Sequence, residues 1–80
     1  MQVKILLFGI IADIIGESSL YFELEKPYTV YSFKEQFILS YPLLKNYSSF
    51  AIAVNEEYAL NETEIQEKQV IAIIPPVSGG

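Results

Sequence analysis

Apolar and polar positions fall into short blocks along this chain, and the period changes from block to block. Val3-Lys4-Ile5-Leu6-Leu7-Phe8-Gly9 is an apolar run of strand length closed by a glycine. With Lys4 turned to solvent, Val3, Ile5 and Leu7 point to the core, and Leu6 and Phe8 share the face of Lys4. Ile10 to Ser19 is a connection with one helical turn around Ile11, Ile14 and Ile15, stopped by Gly16. Leu20 to Glu25 alternates loosely and predicts a second strand ending at Lys26-Pro27. Two consecutive strands joined in this way most simply pair as an antiparallel hairpin.

The period then lengthens. Val30, Phe33, Phe37 and Tyr41 recur at spacings of 3, 4 and 4, which predicts an amphipathic helix over about residues 30–41. Two caps compete for its start: Thr29, which keeps Val30 inside the stripe, and a box of Ser32 with Glu35. Thr29 is the preferred reading, and Pro42 marks the end. Phe50 to Val54 predicts a third strand, followed by a polar turn at Asn55-Glu56-Glu57 into Tyr58-Ala59-Leu60. Residues 61–68 are polar and predict a loop or helical turn. Gln69 to Ile74 is the last strand, apolar on both faces as a central strand is. Val30, Phe33 and Phe37 packed on Val3, Ile5, Leu7, Ile52 and that strand make the core. The expected fold is α+β: one domain over 1–74, a mixed sheet with one main helix on one face, then an extended, flexible tail over 75–80. The element order resembles the ubiquitin-like β-grasp fold, which hosts many functions.

Composition removes most chemistries. The 80 residues hold five lysines and no arginine against ten acidic groups, for a net charge of −5, and contain no His, Cys or Trp. Without Cys there is no disulfide framework, thiolate zinc site, iron–sulfur cluster or thiol nucleophile. Without His the commonest general base is missing, and without Arg there is no bidentate phosphate clamp. Scattered lysines in an acidic chain argue against a nucleic-acid partner. The apolar run Ile5 to Ala12 ends at Asp13, far short of the roughly 18 residues that span a bilayer, and no small-x-small cleavage pattern follows it. No membrane association is therefore expected, and a cytoplasmic location is taken as the default. Hydrophobic residues make up 51% of the sequence, a high share for so small a domain, and part of it is expected to face a partner. Leu6, Phe8 and Ile74, with Tyr58, are the candidates for that docking surface, plain core being the alternative. Glu56, Glu57, Glu62, Glu64 and Glu67 are expected to be solvated loop charges, with no metal site among them. The tyrosines near the helix, Tyr28, Tyr31, Tyr41 and Tyr47, are expected at the core edge.

The chemistry lies at the end of the chain, Pro75-Pro76-Val77-Ser78-Gly79-Gly80. Two final glycines arise by chance in about 0.5% of chains at average glycine usage. The prolines stop the strand, and six extended residues reach about 20 Å. Ser78-Gly79-Gly80 carries little bulk, so this backbone can enter a narrow channel. A carboxylate beside a bare Cα can be activated as an acyl-adenylate by an ATP-using partner enzyme and then attacked by sulfur or an amine. Such a carrier needs no catalytic side chain of its own.

The ending Pro75 to Gly80 after the apolar strand Val70–Ile74 resembles the molybdopterin synthase small-subunit family. Val3 to Gly9, Gly16 and Ala53-Val54-Asn55 resemble other parts of that family's pattern. The chain departs from it at Ala12-Asp13 and at Glu67-Lys68-Gln69-Val70. The resemblance implies a sulfur carrier. An adenylating enzyme with ATP activates the carboxylate of Gly80, a sulfur-donor enzyme converts it to a thiocarboxylate, and residues 75–79 carry it into the large subunit. There the sulfur is donated to a cyclic pyranopterin precursor in molybdenum cofactor biosynthesis. The resemblance also implies that the carrier binds no cofactor and is the non-catalytic partner of a heteromeric sulfurtransferase. Two other readings stay open: a Gly-Gly carrier for thiamine biosynthesis or protein modification, and a β-grasp interaction domain with an incidental tail.

Overall fold

In the computed structural model, which describes residues 1–47 and 49–76, the strands form one mixed five-stranded sheet in the order β2-β1-β5-β3-β4. The chain runs β1 (Gln2–Leu7), α1 (Gly9–Ile15), β2 (Ser19–Glu23), α2 (Val30–Ser40), a 3₁₀ helix (Pro42–Tyr47), β3 (Ala51–Val54), β4 (Glu57–Tyr58) and β5 (Val70–Ile74). β1 and β2 pair antiparallel, as the hairpin pattern predicts, and β1 pairs parallel with β5. β5, the most apolar strand, lies at the centre, with β3 antiparallel on its other side and β4 outside β3. This is the expected α+β architecture of β-grasp type.

Two expectations change between β1 and β2. β1 ends at Leu7 and not at Gly9, because Phe8 is already the N-terminal cap of α1, with extended φ −132° and ψ 156°. α1 is also longer than one turn. Ile11 is fully buried beneath it, and Gly16 closes it in the left-handed region (φ 84°), its N–H donating to the Ala12 carbonyl at 2.7 Å. Burial of a side chain this size is worth about 1.5–3 kcal/mol, enough to hold a short helix that propensity alone would not.

For α2 the competition between caps goes to Thr29, whose Oγ1 accepts from the Ser32 N–H at 3.1 Å. Ser32 Oγ is instead engaged by Gln36 Nε2 at 2.8 Å, and Glu35 is exposed. The segment 61–68 is not helical. Its carbonyls cap α2 from outside: Val30 N–H donates to Thr63 O and Tyr31 N–H to Asn61 O, both at 2.9 Å. With Thr29, this loop satisfies the N–H groups that any helix leaves unpaired at its start. Ile65 anchors the loop in the core. α2 stops at Ser40, with Tyr41 as C-cap, and Pro42 opens a 3₁₀ helix that the sequence pattern did not predict and that buries Leu44.

The core lies between α2 and one sheet face. Val3, Ile5, Leu7, Ile52, Ile71 and Ile73 meet Val30, Phe33 and Phe37, as the patterning predicts, and Ile11, Leu24, Leu44, Phe50 and Ile65 close its edges. Phe22 of β2 meets the rings of Phe33 and Phe37 edge-on at 5.7 and 5.2 Å. Tyr28, Tyr41 and Tyr47 pack at the core edge, whereas Tyr31 is 53% exposed.

Candidate functional site

The opposite sheet face is shaped by side-chain size. Strand alternation places Lys4 and Leu6 of β1, Val70, Ala72 and Ile74 of β5, Ala53 of β3 and Tyr58 of β4 on it. The register lines up one row across four strands: Leu6 opposite Ala72, Ala72 opposite Ala53, and Ala53 opposite Tyr58. Two alanines in the middle and large side chains outside give a low floor between high walls. The result is a trough of about 700 Å³, into which Phe8 and Ile74 also project.

The four residues expected on a docking surface, Leu6, Phe8, Tyr58 and Ile74, thus all line one trough. Phe8 is 48% and Tyr58 76% exposed, and Leu6 and Ile74 are half-buried, so none of the four belongs to the buried core. Sequence reasoning put Lys4 on the face of Leu6 and Phe8 but missed Ala53, Asn55, Glu56, Val70 and Ala72 as trough residues. Val70 and Ala72 were accessible from their even spacing with Ile74. Ala53 and the 55–56 turn were not, because their place depends on which strands pair.

At one end of the trough lies the root of the tail. β5 ends at Ile74; Pro75 is half-buried and Pro76 exposed. Pro75 packs on the β1–α1 turn, where Gly9 has φ +52° and a Cβ added to it would stand 3.0 Å from Pro75 Cγ. The rest of the predicted tail, Val77, Ser78, Gly79 and Gly80, lies outside the described residues. At the other end is the β3–β4 turn. Asn55 clamps the start of β5: its N–H donates to the Val70 carbonyl and its Oδ1 accepts from the Val70 N–H, each at 2.8 Å.

Glu56, Glu57, Glu62, Glu64 and Glu67 are exposed, as expected of solvated charges. Among the described residues no group of three or more His, Cys, Asp or Glu side chains is placed to hold a metal ion, and no helix is long and apolar enough to cross a membrane. The trough is thus a largely apolar, concave surface next to the start of the tail.

Comparison with known proteins shows the family. Residues 5–80 match the model of the ThiS family. The chain belongs to the ThiS family. Its relatives include the molybdopterin synthase sulfur carrier subunit of Arabidopsis thaliana, 31% identical over 81 residues, covering 100% of this chain and 84% of that protein. The protein of the same name from Dictyostelium discoideum is 35% identical over 83 residues, covering 99% of this chain and 96% of the relative. Among solved structures, the protein–protein complex of subunits 1 and 2 of the molybdopterin-converting factor from Helicobacter pylori contains a similar chain. That match has a TM-score of 0.69 and 26% identity, and covers 100% of both chains.

Proposed function

We propose that this ThiS-family chain is the sulfur-carrier subunit of a molybdopterin synthase. The observation that carries the reading is the end-to-end correspondence with two relatives of that name, at 31% and 35% identity. The chain supplies a terminal carboxylate and a docking surface, and its partners supply the acid–base and phosphate-binding groups, since it has no His, Cys or Arg. An adenylating enzyme joins the Gly80 carboxylate to the AMP of ATP, releasing pyrophosphate. Sulfide-level sulfur delivered by a sulfur-donor enzyme then attacks the acyl carbon and displaces AMP, leaving a thiocarboxylate. The trough beside Pro75 receives the large subunit and directs residues 75–80 to its active site, where sulfur passes to the pyranopterin precursor. Support for this division of labour comes from the position of Phe8 and Ile74 at the tail root and from the complexed H. pylori relative.

The test combines this protein with an adenylating enzyme, ATP and a sulfur donor, and reads the intact mass. The expected result is an oxygen-to-sulfur mass gain located at Gly80, and conversion of pterin precursor once the large subunit is added. No gain sinks every carrier reading. A gain without precursor conversion moves the chain to another sulfur-carrier or protein-modifier role. Deleting Gly79-Gly80 is expected to abolish transfer while leaving the melting temperature unchanged, because both residues follow the last strand, β5.

A further inference from the structure

The tight β3–β4 connection holds an anomaly that the fold does not require. Val54 pairs with Glu57, so only Asn55 and Glu56 make the turn, and both have positive φ, 48° and 71°. This is the pattern of a type I′ hairpin turn, which favours Asn first and Gly second. Asn55 fits and has its two bonds to Val70. Glu56 does not fit: a side chain in the left-handed region is strained, and glycine would relieve it. Glu56 makes no side-chain hydrogen bond or ion pair with any described residue that would offset the strain; the one ion pair among these residues joins the N-terminal ammonium to Glu23. Yet Glu56 lines the trough, at the end remote from Pro75. Lys4 lies on the same trough, opposite Val70 across the β1–β5 pairing, so the two charges flank Val70 from opposite sides. The remaining trough residues are uncharged, so the groove has an apolar end at the tail root and a two-signed end away from it.

Strain retained at a surface position points to a role in binding. We infer that Glu56 is a partner-selecting residue: its carboxylate receives a lysine or arginine of the docked large subunit, while Lys4 faces an acidic group of the same segment. The apolar part of that segment fills the trough over Ala53 and Ala72. Charges placed in this way fix the direction in which a partner lies and exclude partners of the wrong sign more than they add affinity. The inference rests on the reading of the trough as the large-subunit docking surface.

The experiment is calorimetric titration of the full chain with the synthase large subunit, at low and high salt, alongside thermal melts. Glu56→Gln keeps the strained backbone and removes the charge. Its melting temperature stays at the wild-type value, its affinity falls about fivefold, the size of one partly exposed ion pair, and its salt dependence is weaker. Glu56→Gly relieves the strain, so its melting temperature rises while its affinity falls by a similar factor. Wild-type binding matched by Glu56→Gln overturns the inference and leaves the carrier reading intact. Absence of wild-type binding overturns the molybdopterin-synthase reading, and the inference with it.

Discussion

Gly9 and Pro75 touch across the start and end of the sheet: a Cβ on Gly9 would stand 3.0 Å from Pro75 Cγ, at a backbone φ of +52°. The contact ties the point where the tail leaves β5 to the turn that follows β1, two strands paired in parallel. Phe8, next to Gly9, lines the trough, so the tail root and the trough share one support.

Gly9→Ala is therefore expected to lower stability by about 1–2 kcal/mol from the left-handed backbone alone. Urea unfolding measures it. In a double-mutant cycle with Pro75→Ala, a coupling of about 0.5 kcal/mol or more is expected, since removing the ring relieves part of the clash. Strict additivity would show that Pro75 does not rest on this turn.

Thr29→Ala should cost about 1 kcal/mol, because Thr29 Oγ1 is the side-chain cap of α2. Glu35→Ala should change stability by no more than about 0.5 kcal/mol, as is usual for exposed positions. The reverse order in denaturant melts would assign the cap to the Ser32–Glu35 box.

Phe37 is fully buried, with ring neighbours Phe33 at 5.3 Å, Phe22 at 5.2 Å and Tyr41 at 4.9 Å. Its truncation to Ala is expected to cost about 3–5 kcal/mol. A domain of this size has about 4–12 kcal/mol in all, so the variant should be partly unfolded near physiological temperature. Circular dichroism melts would detect this, and a loss below about 1 kcal/mol would contradict the packing described here.

Ala72→Leu tests the trough without touching the core. Ala72 lies on the open face between Leu6 and Ala53, so a leucine there fills the floor of the trough and stays clear of the core beneath α2. The melting temperature should hold, while affinity for the synthase large subunit falls about tenfold, a loss of about 1.4 kcal/mol. Unchanged affinity would place docking elsewhere on the chain.

Several of these elements were legible in advance. The stripe Val30, Phe33, Phe37 is a local property of a 3.6-residue period, and it names the buried face of α2 before any partner is known. The parity of Val3, Ile5 and Leu7 against Leu6 and Phe8 is equally local, since strand side chains alternate whatever the strand pairs with. The 3₁₀ helix, the second turn of α1 and the capping role of 61–65 were not legible. Each is stabilised by a distant surface: Leu44 and Ile11 by the common core, and the Asn61 and Thr63 carbonyls by the first N–H groups of α2.

The division for this protein follows from range. Its sequence alone determined the α+β order, the two faces of each strand, the core stripe and the want of any His, Cys or Arg for chemistry of its own, because composition and short periods need no folding to be counted. Only the tertiary structure decided that Leu6, Ala72, Ala53 and Tyr58 form one row, that Glu56 stands strained at its far end, and that Pro75 rests on Gly9. Those relations depend on strand order and register, which are set when β1 and β5, more than sixty residues apart, pair in parallel and bury one face beneath α2.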